Sequence, residues 1–196
     1  MIIISHRRNK RQELAATPTQ YGVEVDIRSN GPRLYIHHDA FVDGENFEEW
    51  LTAFRHNTLI LNVKEEGLEG RLLKLMDEHG IDNFFFLDQS FPFLIKTARS
   101  GERRCALRVS EYESIDTAMT LQGQAEWIWV DCFNEGLWLT GEQAKRMQDG
   151  GFKLCLVSPE LQGRTAAGEI AKIRELAAAR GVTFEAVCTK EPAQWE

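Results

Sequence analysis

The chain has 196 residues, with 23 Lys and Arg against 30 Asp and Glu, a formal net charge of −7, and 43% hydrophobic residues. That length buries a sizeable core, and the balance of apolar and charged residues excludes disorder. An acidic total excludes general binding to nucleic acid or to an anionic membrane, so affinity for anions has to come from basic groups gathered locally.

The N-terminus reads Met-Ile-Ile-Ile and turns polar at Ser5-His6-Arg7-Arg8, the reverse of the charge order in a signal peptide. No run approaches the roughly 18 apolar residues of a membrane span, so the expectation is a cytoplasmic protein without one. Cys105, Cys132, Cys155 and Cys188 are far apart and form no CxxC pair. Reduced, buried thiols fit that spacing better than zinc ligands or disulfides.

Short β-branched or aromatic runs predict strands at Ile2–Ser5, Val23–Ile27, Leu34–Ile36, Thr58–Val63, Phe84–Leu87, Cys105–Val109, Trp127–Asp131, Phe152–Val157 and Phe184–Cys188. Helical spacing of apolar residues predicts helices over Gly67–His79, Thr140–Met147 and Ala166–Arg180, with Thr140 as an N-cap and Gly80 and Gly181 as terminators. Alternating strands and helices indicate βαβ units and a parallel sheet. Counting Leu34–Ile36 as a hairpin extension leaves eight βα-type strands, the number that closes a TIM barrel. No GxGxxG follows the first strand, so a nucleotide-binding doubly wound sheet lacks its signature. The expected architecture is a compact (β/α)8 barrel in one domain, residues 1–196.

The most informative segment is Val23-Glu24-Val25-Asp26-Ile27. Side chains alternate along a strand, which puts Glu24 and Asp26 on one face and the three apolar residues on the other. In a barrel the carboxylates then point into the lumen. Two ionised carboxylates in a partly dry site repel and lose hydration, and a hard divalent cation with oxygen ligands is the natural compensation. The first strand ends in His6 and Arg7, and the hairpin after Asp26 ends in His37-His38-Asp39. Strand ends on one side of a barrel face its active site, so these groups are expected to converge. Two histidines beside a metal suit acid–base chemistry near neutral pH. Asn62 and Lys64 form a further period-two pair, the amide oxygen suited to the metal and the ammonium to a phosphate oxygen. The basic run Arg7, Arg8, Lys10, Arg11 opposes the dipole of a following helix, and reads more readily as anion capture. Arg108 and Asp131 end later strands where they line the same mouth. Trp129 shares a face with Asp131 and is placed to stack on a sugar-like ring, or else to pack against a helix. Phe84-Phe85-Phe86 reads as core, and His56 and His79 as surface residues at helix ends.

The order His6-Arg7, then Glu24-x-Asp26, then His38-Asp39 resembles the glycerophosphodiester phosphodiesterase family, within the phosphatidylinositol-specific phospholipase C-like barrels. Leu61-Asn62-Val63-Lys64 resembles the family's third strand, and Val187-Cys188-Thr189-Lys190-x-Pro192 its last strand ending. The resemblance implies a barrel that cleaves a phosphodiester with Mg²⁺ or Ca²⁺. His6 and His38 would be the acid–base pair, Arg7 and Lys64 would bind phosphate, and Glu24 and Asp26 would hold the metal. Asp39 would orient His38. In this class a neighbouring substrate hydroxyl attacks phosphorus and the leaving alcohol is protonated.

Four departures stand out. Asn62 replaces the family's usual glutamate ligand, and Arg8 its usual glycine. Only about 20 positions separate Asp39 from Leu59, which leaves little room for a substrate-covering insertion. The chain after the last strand is also too short for a full eighth helix, and the apolar surface so exposed is the expected place for homodimerisation. The substrate implied is a small glycerophosphodiester-like phosphodiester. Two other readings of the same residues are a phospholipase C-like lyase that stops at a cyclic phosphate, and a non-catalytic barrel that binds sugar phosphates or lipid headgroups. A Schiff base on Lys64 is disfavoured, because adjacent carboxylates keep that amine charged.

Overall fold

A computed structural model describes residues 1–196 and has a mixed α/β fold. Its strands are β1 (Ile2–Ser5), β2 (Gly22–Asn30), β3 (Arg33–Ile36), β4 (Glu45–Asn46), β5 (Leu59–Val63), β6 (Phe84–Leu87), β7 (Ala106–Val109), β8 (Trp127–Val130), β9 (Lys153–Val157) and β10 (Ala186–Thr189). The helices are α1 (Arg11–Ala16), α2 (Phe47–Leu51), α3 (Glu69–Glu78), α4 (Phe91–Arg99), α5 (Ile115–Met119), α6 (Gly141–Asp149) and α7 (Glu169–Ala179). By contact density the chain forms two compact units, one of Ser5–Gly101 and one of Met1–Ile4 with Glu102–Glu196.

In the first unit β2 is the hinge of the sheet. It runs parallel to β5, with Asp26 opposite Asn62, and β5 runs parallel to β6. On its other margin β2 turns back into β3, with Ile27 opposite Ile36, and β3 pairs antiparallel with β4. The alternation foreseen for β2 is present. Val23, Val25 and Ile27 are fully buried, as are Leu59 and Leu61 beside them, so one face of these strands is a continuous apolar layer. Phe84, Phe85 and Phe86 are buried as expected.

In the second unit β10, β9, β8 and β7 are parallel neighbours in that order. Each strand lies next to its predecessor, as short βα connections favour. Thr140 caps α6 as predicted, its hydroxyl accepting from the Gln143 N–H at 3.2 Å. Helices α2 and α5 have only five residues each, too few for a visible 3.6-residue period, and sequence periodicity passes over them. Their caps are the signal: the Asn46 side chain accepts from Glu49 N–H at 3.1 Å and the Ser114 hydroxyl from Asp116 N–H at 3.1 Å. None of the four cysteines is in a disulfide and all are buried. Burial pushes the Cys132 thiol up to about 12, so it stays protonated and unreactive. His56 departs from its expected surface position: it is buried, with Nε2 2.9 Å from the Thr17 carbonyl.

Candidate active site

The first unit gathers most of the polar residues singled out above around the Glu24–Asp26 pair. Both carboxylates are sealed from solvent, at 1% and 0% exposure. Burying two charges demands partners for their oxygens, and the chain supplies hydrogen bonds to three of the four. Glu24 Oε1 accepts from Asn62 Nδ2 at 2.8 Å and Oε2 from the Arg7 backbone N–H at 2.7 Å. Asp26 Oδ2 accepts from Asn9 Nδ2 at 2.8 Å and lies 3.6 Å from Arg7 Nε. Asp26 Oδ1 lies 3.2 Å from Lys64 Nζ. Lys64 also reaches Asp88, whose Oδ2 accepts at 3.1 Å, so the ammonium bridges two strand ends.

Even so, the site is short of positive charge. Burial, reinforced by the charge of Asp26, pushes the Glu24 carboxyl from 4.5 up to about 7, against the opposing bonds from Asn62 and Arg7 and the charge of Lys64. His6 sits at the margin, Nε2 3.8 Å from Glu24 Oε2, beyond hydrogen-bond reach.

Backbone geometry explains why the sequence turns polar after β1. Arg7 adopts φ 50°, a left-handed conformation that turns its N–H toward Glu24. The next residue continues the anchoring. Arg8 N–H donates to the Glu24 carbonyl at 2.8 Å, and Trp50 Nε1 donates to the Arg8 carbonyl at 2.9 Å. The Arg8 guanidinium bonds the Thr17 hydroxyl and the His6 carbonyl at 3.0 and 3.2 Å. It is therefore tied into the scaffold instead of serving the anion capture expected of the basic run.

His38 and Asp39 stand on the loop after β3. His38 Nδ1 lies 2.7 Å from Asp39 Oδ1. That bond, with lesser help from the charges of His38 and His37, holds the Asp39 carboxyl below its ordinary value. An ionised carboxylate only accepts, so the proton is on Nδ1 and Nε2 is left open. The loop is tied to the carboxylate strand by His37 N–H donating to the Asp26 carbonyl at 3.1 Å. Arg7, Asn9, Lys10, His38 and Asp39 share a cleft of about 670 Å³, so Arg7 is common to the carboxylate cluster and to the histidine cleft.

Asn9 is the residue of this cluster to which sequence reasoning gives no role. It bonds Asp26 twice, donating to Oδ2 and accepting from the Asp26 N–H at 3.1 Å. Its position two residues past Arg7 is the one signal that points to it.

Arg108 and Trp129 belong to the other unit. There the Arg108 guanidinium bonds Asp131, which also accepts from Gln162. Burial pushes Asp131 up to about 6 despite Arg108. Trp129 is buried at 4% exposure within β8.

No three His, Cys, Asp or Glu side chains are arranged to hold a metal. Two carboxylates and one amide, those of Glu24, Asp26 and Asn62, lie close together instead. Asn62 Oδ1 is buried without a hydrogen-bond partner, and Asp26 Oδ1 has only the ion pair to Lys64. Those orphaned oxygens, and a Glu24 that stays half protonated near neutrality, fit a cation held by Glu24, Asp26 and Asn62. With so few protein charges, further oxygens have to come from water or substrate.

No family model and no curated protein matches this sequence. Solved structures do. A chain from Agrobacterium tumefaciens strain C58, assigned as a glycerophosphoryl diester phosphodiesterase, superposes with a TM-score of 0.70 at 13% identity, over 98% of this chain and 94% of that one. A glycerophosphodiester phosphodiesterase from the same strain gives 0.67 at 15% identity, over 99% and 97%. A glycerophosphoryl diester phosphodiesterase from Parabacteroides distasonis gives 0.65 at 13% identity, over 98% and 84%. The chain shares the fold of these proteins along essentially its whole length. Identity this low carries the fold alone.

Proposed function

We propose that this chain is a cation-assisted phosphodiesterase, built on a (β/α)8 frame, that cleaves a small glycerophosphodiester-like substrate. The observation that carries the reading is the buried Glu24–Asp26 pair, ringed by Arg7, Lys64 and His6 and linked through Arg7 to the His38 cleft. A structural ion pair needs no histidines near it, whereas phosphoryl transfer needs cations for the phosphate and proton carriers for both alcohols.

In this reading Arg7 and Lys64 bind the non-bridging phosphate oxygens and offset the charge that grows on them. His38, with Nδ1–H held by Asp39, presents Nε2 to take the proton from the attacking hydroxyl or water, and Asp39 steadies the imidazolium that forms. His6, beside the Glu24 carboxylate, returns a proton to the leaving alcohol as its P–O bond breaks. Mg²⁺ or Ca²⁺ on Glu24, Asp26 and the Asn62 amide oxygen would supply Lewis-acid polarisation of the phosphoryl group.

The test is turnover by the purified protein on a panel of phosphodiesters, after chelation and again with Mg²⁺ or Ca²⁺ restored. Metal-restored turnover, abolished by His6→Ala and by His38→Ala, is expected. Phosphorus NMR of the product separates hydrolysis from release of a cyclic phosphate. Absence of turnover across the panel, with phosphate esters still bound, replaces this reading by a non-catalytic binder of phosphorylated headgroups.

A further inference from the structure

The loop between β3 and β4 carries His38 and Asp39 at its start and an apolar tip just beyond. Its base is firmly held. Arg28 donates to the carbonyls of His37 and His38 at 3.2 and 2.9 Å, and Arg33 donates to the Gly44 carbonyl at 2.7 Å. Gly44 packs so closely that a Cβ would fall 1.9 Å from the Ile36 carbonyl oxygen, so only glycine closes the loop. From this base Phe41 projects fully into solvent, and Val42 beside it is 44% exposed.

Two separate terms count against a phenylalanine at that tip. Its ring is hydrated, and its backbone adopts φ 63°, the left-handed region that bulky side chains avoid. Glycine or asparagine would relieve both. A held base beneath an exposed apolar tip suits insertion into an apolar medium outside the chain.

The charges around the tip indicate which medium. They come as neighbouring opposites, Arg33 with Asp43 at 2.8 Å and Arg28 with Glu65 at 3.9 Å. The whole chain, at −7, is repelled by an anionic leaflet. Beside the tip lies a cleft of about 660 Å³, lined among others by Arg28, Arg33, Tyr35 and Phe41, with room for a lipid headgroup. We infer that Phe41 and Val42 insert into the surface of a zwitterionic phospholipid bilayer and so bring the His38–Asp39 loop against phosphodiester headgroups. The inference rests on the phosphodiesterase reading for what happens at the headgroup, and on the loop alone for the docking.

The experiment is co-sedimentation of the full chain with phosphatidylcholine vesicles, comparing the wild type with Phe41→Ser/Val42→Ser. Circular dichroism melts check that the variant folds. The wild type is expected to partition onto the vesicles, and the variant roughly tenfold or more weakly, the scale of losing two buried apolar side chains. High salt should leave the difference intact. Tryptophan emission of Phe41→Trp should move to the blue when vesicles are added. Equal partitioning of the two proteins overturns the inference, as does binding confined to anionic vesicles at low salt. A wild-type dimer that the double variant splits, without vesicle binding, also overturns it by assigning the tip to a second copy of the chain. Vesicle binding lost in the variant, from a protein that turns over no phosphodiester, supports the docking while removing the catalytic reading.

Discussion

Asn62 on β5 lies diagonally across from Glu24 on β2, and the amide donates its Nδ2–H to Glu24 Oε1 at 2.8 Å. The bond leaves the Asn62 carbonyl oxygen buried and unpartnered. A neutral side chain in this place makes the carboxylate pair tolerable without a cation, and lowers the charge available to hold one.

Replacing the amide tests that balance. Asn62→Glu sets a third carboxylate beside Glu24 and Asp26. Without metal the fold should lose about 3 kcal/mol, the scale of an uncompensated buried charge. With Mg²⁺ or Ca²⁺ the loss should reverse, and calorimetry should show cation binding at least roughly tenfold tighter than in the wild type. Unchanged binding by the variant counts against Asn62 as a ligand.

The pH dependence of stability follows from Glu24. Its folded pKa, near 7, lies above the ordinary 4.5. Between those values the folded state holds a proton that the unfolded state has released, so stability falls as pH rises from about 4.5 to 7, by up to about 3 kcal/mol. Asp131, raised from 3.8 to about 6, adds a fall of the same sign over a lower window. Denaturant melts of Glu24→Gln should show a flatter slope and higher stability above pH 7. The glutamine carbonyl still accepts from Arg7 N–H, and its amide is matched when Asn62 turns over.

Asp39 acts on the chemistry through His38. Asp39→Asn keeps the shape but lets the amide donate to Nδ1, which moves the proton to Nε2. Turnover should drop roughly 10- to 100-fold with the substrate KM little changed. A fall in affinity with kcat intact would assign Asp39 to binding instead.

In the second unit Arg108→Ala leaves Asp131 buried without its guanidinium. The expected cost is about 3 kcal/mol at pH 8, shrinking toward pH 5 as Asp131 takes up a proton. Thermal melts at the two pH values check it. An equal loss at both would mean that the arginine stabilises by packing and not by charge.

Short-range pattern determined much that can be read without coordinates. Val-Glu-Val-Asp-Ile declares both a strand and a face, because alternation is a property of the extended backbone itself. The Thr140 cap and the long apolar period of α7 are local in the same way. Helices α2 and α5 escape that reading because one turn and a half has no measurable period. Tertiary structure alone decided what those residues experience. Asn9 meets Asp26 from 17 positions away, His56 is buried by a contact with Thr17, and Phe41 is left in water by a loop closed at Gly44. The protonation of Glu24 belongs to the same class, since desolvation sums over every atom packed around the group. Propensity and periodicity act between neighbours in the chain, whereas burial and charge act between neighbours in space.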